Sequence, residues 1–498
     1  MGIIRKQSIY GTLYSYIGVI LGFVVTAILF PRILSTEQVG LLKVLVAYSV
    51  LFAQFAGLGF NAVTIKLFPY FRDEKNKHHG FLGLTLLVSI AGFIIAALAF
   101  LLMQTYLIEQ SEGKSELFND YYYYVIPLIF FTLLFNVFDT YFRVLYNATK
   151  GIFVKEVVQR VGLLVVILVF YFGYIDFHTT VLLYLLVLVS PSILLLASLI
   201  KNKKLFLIPD FNFIDKNLRN QMLSVGFFGI VASYSGVLVM NIDILMINKM
   251  LGLSAAGIYT VTFYFGTLIL VPLRTMGKIS SVVIADSWKA NDLDNIHSIY
   301  KKSSLSLSIV GLLLFTGIWG NIDNVFQIIR DDYFPGKMVI FYIGIANLFD
   351  IALGVNPQII VNSKYYKYLS YFLTGFAVLL VITNLLLIPK YGIVGAAIAS
   401  LISKFIYNFV KFIFLYKKFR FQPFSYRHVI LIVIAIISYW ISTLIPAFSN
   451  YVIDIIIRSS IIFILFVVPV YFFKISDDIN DRIDMVLSRY IFRNQHKS

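Results

Sequence analysis

Residues 240–265 read MNIDILMINKMLGLSAAGIYTVTFYF. One apolar helix ends near Met250, a tight turn holding Gly252 follows, and a second apolar helix begins. Asn241 and Asp243 lie inside the first helix and Lys249 at its end. Hydrocarbon penalises an unpaired charge heavily, so Asp243 is expected to face protein or a wet cavity.

The whole chain follows that pattern. It has 498 residues, 59% hydrophobic and 13% charged, where soluble proteins average about 45–50% apolar and about 25% charged. The apolar residues fall into long runs, and a helix needs about 20 to cross the hydrocarbon. The chain is therefore read as an all-α integral membrane protein. Fourteen spans are expected, near 9–30, 41–64, 81–104, 121–142, 153–173, 179–200, 223–248, 255–283, 303–320, 334–361, 367–388, 393–415, 427–446 and 453–473. There are no cysteines, which excludes a disulfide framework and a thiolate metal site. His78 and His79 have no carboxylate or third histidine at metal spacing and read as a solvated patch.

The net charge of +16 would suggest nucleic acid in a soluble protein. Here it reads as basic residues gathered on one side of a membrane, so no nucleic-acid partner is expected. With the N-terminus inside, 31 of the 41 Lys and Arg residues lie in inside segments, 8 lie outside, and Lys404 and Lys411 fall within a span. That bias predicts both termini in the cytoplasm of a bacterial inner-membrane protein and supports an even span count. The tyrosine run Tyr121–Tyr124 is expected in an outer aromatic belt. Residues 475–491, and less strongly 284–300, have one apolar face and are expected to lie along the inner leaflet.

The opening stretch recurs. Residues 31–48 (PRILSTEQVGLLKVLVAY) align with residues 248–265 (NKMLGLSAAGIYTVTFYF), pairing Leu34 with Leu251, Arg32 with Lys249 and Gly40 with Gly257. Asn147-Ala-Thr-Lys150 resembles Asn362-Ser-Lys364 at a similar offset. Two six-helix lobes follow, 1–205 and 206–420, related by a pseudo-twofold axis along the membrane normal. Residues 421–475 supply two further spans, and 476–498 a cytoplasmic amphipathic tail.

These residues resemble the multidrug/oligosaccharidyl-lipid/polysaccharide exporter superfamily, most closely its polysaccharide-transporter branch of Wzx-type O-antigen flippases. The similar stretches are Leu34-Ser-Thr-Glu-Gln-Val-Gly40, where Ser35 replaces the usual Gly; Asn241-Ile-Asp243 through Gly252, then Ala256-Gly257-Ile-Tyr259; and Asn384-Leu-Leu-Leu-Ile-Pro389-Lys-Tyr-Gly392-Ile-Val-Gly395-Ala-Ala-Ile-Ala-Ser400. The resemblance runs from about residue 5 to residue 475. It implies a flippase, not an enzyme. Such a protein moves a polyisoprenyl-pyrophosphate-linked oligosaccharide, carried on undecaprenyl, outward by alternating access. The product feeds O-antigen, capsule or exopolysaccharide synthesis, with a polysaccharide polymerase as candidate partner and the lipid tail held by spans thirteen and fourteen.

That cargo calls for cations and hydrogen-bonding groups in a wet cavity. The substrate-binding candidates are Arg143, Arg274, Lys278, Lys404, Asn61 and Asn241; Asp243, Asp139 and Asp350 are candidates for ion binding or lobe coupling. Asp139 and Arg143 are four apart and able to pair on one helix face. Asp243 either binds a coupling cation, Na+ or H+, pairs with Lys249 or Arg32, or caps a helix. Arg274 and Lys278 share a face and either receive pyrophosphate or snorkel. Lys404 is the deeper of its pair, and Lys411 is expected to snorkel to the inner interface. No metal or other cofactor is expected. Rival readings are a lipid-linked peptidoglycan precursor flippase, a multidrug exporter of the same superfamily, and a membrane glycan polymerase or ligase. The last normally needs acid/base groups on a substantial outer loop; residues 105–120 offer Glu109, Glu112 and Glu116 but neither His nor Arg.

Overall fold

A computed structural model describes residues 2–109, 116–481 and 484–485. Among them every regular element is helical. Twelve helices are long and apolar enough to cross a membrane, and this is a multi-pass membrane protein. The first ten of the fourteen helices described here are α1 Ile9–Ile33, α2 Thr36–Ala56, α3 Phe81–Leu102, α4 Glu116–Val144, α5 over 149–171, α6 Phe177–Lys201, α7 Lys216–Leu251, α8 Leu253–Lys289, α9 Leu293–Gly320 and α10 Asp331–Ala352. The run Tyr366–Phe419 is 54 residues long. One straight helix of that length would reach about 80 Å, far beyond a hydrocarbon core of about 30 Å. It breaks at Gly392, whose φ of 59° and ψ of −140° leave the helical region. The part before Gly392 is α11 and the part after it α12. Helices α13 Tyr426–Thr443 and α14 Tyr451–Phe472 complete the set.

The count of twelve and the expectation of fourteen differ for physical reasons. One long run holds two spans, and α5 carries three charges, Lys155, Glu156 and Arg160, in its first half, more than the twelve hold in their apolar stretches, without unmaking the helix.

Polar side chains set where helices start. Ser35, the residue that departs from the resembled motif, caps α2: its hydroxyl accepts the Gln38 N–H at 3.1 Å while Gln38 accepts the Ser35 N–H at 3.0 Å. Asp215 caps α7 through the Leu218 N–H at 2.6 Å, and Asp176 caps α6 through the Thr179 N–H at 3.0 Å. Each cap stabilises its helix by about 1 kcal/mol.

The chain forms two compact units. The first is Met1–Val261 with Asn384–Ile393. One end of it holds an aromatic core of Phe68, Phe71, Phe81, Phe138, Tyr141 and Phe142, and α2 meets the start of α8 backbone to backbone at Gly40 and Gly257. The second is Thr262–Thr383 with Val394–Ser498. Here Leu305 and Ile309 of α9 pack on Leu431 and Ile434 of α13 and on Phe466 of α14. A buried pair, Asp454 with Arg458, fastens α14: Arg458 Nε donates to Asp454 Oδ2 at 3.1 Å, and Asn324 donates to the same oxygen.

Several expectations need correction. Residues 284–300 do not form a separate surface helix; they are the end of α8, a turn at 290–292 and the start of α9. Of the tyrosine run, Tyr123 is exposed, but Tyr122 is fully buried and stacks on Phe100 at 4.4 Å. His78 is 2% exposed rather than solvated. Three left-handed residues, Lys77 to His79, fold its ring inward, where Nδ1 accepts the Asp73 N–H at 3.1 Å. Of the in-plane tail helix expected over 475–491, residues 477–481 are helical; 482–483 and 486–491 lie outside the described residues.

Candidate functional site

In the first unit, Asp243 on α7 is 7% exposed. Tyr259 Oη donates to its Oδ2 at 2.7 Å and Asn384 Nδ2 to its Oδ1 at 2.6 Å. These two donors orient the buried carboxylate. Asn384 is fully buried, and its Oδ1 accepts no hydrogen bond among the described residues. Carboxylate and amide oxygens are donors that hard cations accept, so Asp243 and Asn384 are residues here that could hold one. Tyr259 and Asn384 both stood in the quoted motifs, but nothing in spacing alone says that residue 384 reaches residue 243.

On α4, Asp139 pairs with Arg143 at 2.8 Å, as their spacing predicts. Asp139 is lodged against Gly151 of α5: a Cβ there would fall 1.8 Å from Asp139 Oδ1. Lys155, one turn further along α5, lies 4.9 Å over the Phe135 ring. Glu156 and Arg160 make a second pair at 3.6 Å. Lys43 of α2 reaches Thr26 Oγ1 at 3.3 Å and lies 5.2 Å over the Phe30 ring. Thr26 and Glu156 both sit in π-helical stretches, Val24–Leu29 and Val154–Val158, a wider turn often found at functional sites. The sequence reading used Lys43, Lys155 and Arg160 only to assign topology. The overlooked signal was a Glu and an Arg four apart in an apolar run. Asn61 is half-buried near the start of the short helix Phe60–Phe71. Asn241 spends its amide on its own helix, donating to Val237 O at 2.8 Å.

In the second unit, Lys404 of α12 and Asp350 of α10 form an ion pair at 3.0 Å, their side chains 18% and 19% exposed. Lys404 also donates to Asn347 Oδ1, and Asn408 Nδ2 donates to Asp350 Oδ1 at 2.8 Å. Asn347 in turn donates to Gly266 O at 2.8 Å. Lys411 does not snorkel: it is 3% exposed, with its ammonium 4.1 Å over the Tyr407 ring. An aromatic face one turn back takes the place of water. Arg274 and Lys278 are exposed on one face of α8.

Beside this cluster, α9, α10, α12 and α13 wall an apolar groove of about 960 Å³. Phe315, Phe349, Phe405 and Phe409 line it, Trp319 and Trp440 stand at one end, and Ser425 and His428 at the other. Asn408 touches both the groove and Asp350. His428 closes its end through a chain of bonds: Ser425 N–H donates to Nδ1 at 3.2 Å, which leaves Nε2–H to donate to Ser304 Oγ at 3.0 Å, and Ser304 donates to Ala352 O at 2.6 Å.

A family model described as polysaccharide biosynthesis protein matches residues 4–277, a little over half of the chain. Among solved structures, "Lipid II flippase MurJ, inward closed conformation" is similar with a TM-score of 0.73 at 14% identity, over 94% of this chain and 99% of that one. An inward-facing multidrug resistance MATE family transporter of the MOP superfamily is similar at 0.62 and 14% identity, over 82% of this chain and 94% of that one. At such identities the likeness is one of fold. No curated protein matches by sequence.

Proposed function

Because the chain belongs to the polysaccharide biosynthesis protein family, we propose that it is a flippase for a polyisoprenyl-pyrophosphate-linked oligosaccharide. The observation that carries this reading is the groove beside the Asp350–Lys404–Asn408 cluster. A lipid-linked sugar needs a dry track for its chain next to polar and charged groups for its head. A drug exporter has no use for a track of that length. Candidate groups for the head are Arg274, Lys278 and Lys404 in the second unit and, taken separately, Arg143, Asn61 and the Asn241 side-chain oxygen in the first.

The protein works in the bacterial inner membrane with both termini in the cytoplasm, an orientation that the Lys and Arg bias supports. It feeds a polysaccharide polymerase. Alternating access is coupled to a cation held by Asp243 and Asn384. A bound cation would neutralise the carboxylate, while Tyr259 and Asn384 keep it oriented.

Deleting the gene tests the reading. Surface glycan is lost while its lipid-linked unit accumulates on the inner leaflet. The fold likeness to a lipid II flippase over 94% of the chain favours one alternative, a peptidoglycan-precursor flippase. Accumulation of the peptidoglycan precursor with normal surface glycan would select it instead.

A further inference from the structure

A second pocket opens where the groove ends at Ser425, on the face assigned to the cytoplasm. It has a volume of about 210 Å³ and is bordered by Lys301, Lys302, Arg427, Ser425, Ser476, Asp477 and Asp478. Ser425 lines both the pocket and the groove, so the basic pocket adjoins the end of the apolar track. Lys301 and Lys302 are exposed and Arg427 is half-buried. Arg427 Nη1 donates to Ile475 O at 3.0 Å, which brings the start of the tail against the pocket. Lys302 lies 3.9 Å from Asp478 Oδ1, a loose and half-exposed pair. Three cations thus face two carboxylates, and both carboxylates come from the tail.

The length of the track selects the occupant. From Ser425 to Trp440 it follows α13 for about 22 Å at the rise of an α-helix. A phospholipid acyl chain fills one leaflet, about 15 Å, half of a hydrocarbon core of about 30 Å. A polyprenyl chain is not confined to one leaflet.

We propose that this pocket is the loading site where the diphosphate of a polyprenyl-linked cargo docks, its chain lying in the groove, and that Asp478 is the counter-ion the diphosphate displaces from Lys302. The proposal rests on the flippase reading above and adds the place and groups of first contact. Lys301, Lys302 and Arg427 supply charge-assisted bonds to the phosphate oxygens, and the Ser425 and Ser476 hydroxyls border the same space.

Native mass spectrometry of the full-length protein in lipid nanodiscs tests it, with undecaprenyl diphosphate as probe and undecaprenol and phosphatidylglycerol as controls. The exposed-lysine variant Lys301→Gln/Lys302→Gln is expected to weaken undecaprenyl diphosphate roughly tenfold and leave undecaprenol unchanged. Asp478→Asn is expected to tighten the diphosphate a few-fold. Binding that Lys301→Gln/Lys302→Gln leaves intact overturns the loading site alone. Equal competition by phosphatidylglycerol overturns the choice of a polyprenyl occupant. Failure of the wild-type protein to bind undecaprenyl diphosphate at all brings down the flippase reading with it.

Discussion

Gly40 and Gly257 occupy equivalent places, 217 residues apart, and face each other. A Cβ on Gly40 would fall 1.9 Å from Leu253 O and 3.1 Å from Gly257 N; one on Gly257 would fall 1.9 Å from Thr36 O and 3.0 Å from Gly40 N. Leu253 and Thr36 are themselves 217 apart, so the contact is reciprocal about a local twofold axis. Thr36 and Ser254 join hydroxyls across it at 2.7 Å. Only hydrogen fits at either position, because the obstacle is backbone.

Gly40→Ala and Gly257→Ala should therefore each cost about 1–3 kcal/mol, the usual range for overpacking. The double variant should cost clearly less than the two together, because one separation of α2 from α8 admits both methyls. Thermal unfolding in detergent of the two singles and the double checks this. Simple additivity would mean that the two sites do not share a contact.

The same pair shows how far the sequence could be read. The offset made Gly40 and Gly257 equivalent, and a repeat plus a helix-to-helix turn fixed the local fold. Equivalence does not say that two residues touch, however; that depends on where the local axis runs. Fourteen spans were legible because hydrocarbon leaves little choice over 20 apolar residues. Site geometry was less legible. Asp139–Arg143 was read correctly because both lie on one helix, while Asp243–Asn384 joins residues 141 apart. Lys411 was misjudged because depth along a helix does not reveal a tyrosine ring one turn away. Lys43 and Arg160 went unnoticed because they were treated only as markers of topology.

Tyr259→Phe keeps the ring of α8 in place and deletes a hydrogen-bond donor to Asp243. A buried carboxylate that loses a charged hydrogen bond costs about 1.5–3 kcal/mol. The variant should unfold earlier than the wild type, and added Na+ should recover part of the loss by binding the less satisfied carboxylate. Unfolding curves in Na+ and in choline buffers measure both effects. Asp243→Asn should abolish the difference between the two salts.

His78 gives a pH dependence with a definite sign. Burial holds its imidazole below the ordinary histidine range; Glu74 opposes this, Lys204 and Arg72 add to it, and Asp73 opposes it. The neutral ring is the form that accepts the Asp73 N–H. Its contribution is complete above the unfolded value of about 6.5 and is lost as pH falls through the lower folded value. Amide exchange over 73–80, corrected for the intrinsic rate, should speed up between pH 7 and pH 5. In His78→Asn, whose amide oxygen can accept the same N–H without titrating, that rise should vanish.

The Asp350–Lys404 pair separates holding the fold from holding the cargo. Lys404→Gln leaves the Asp350 carboxylate with Asn408 as its remaining partner, and Asp350→Asn leaves the Lys404 ammonium without a countercharge and within one element of Lys411. Breaking a fully buried pair from either side costs about 3–5 kcal/mol; this half-buried pair, 18% and 19% exposed, should cost less, because the charge left behind is only partly desolvated. Both single variants should therefore reach the membrane in reduced amount. The neutral double variant Asp350→Asn/Lys404→Gln removes both charges, and its folded level should return close to wild type. If Lys404 meets the pyrophosphate as proposed, glycan export should stay absent in that double variant. Quantitative blotting of membranes beside surface-glycan staining reads the two effects separately. Recovery of both signals together would make Lys404 a counter-ion of the scaffold and remove it from the cargo path.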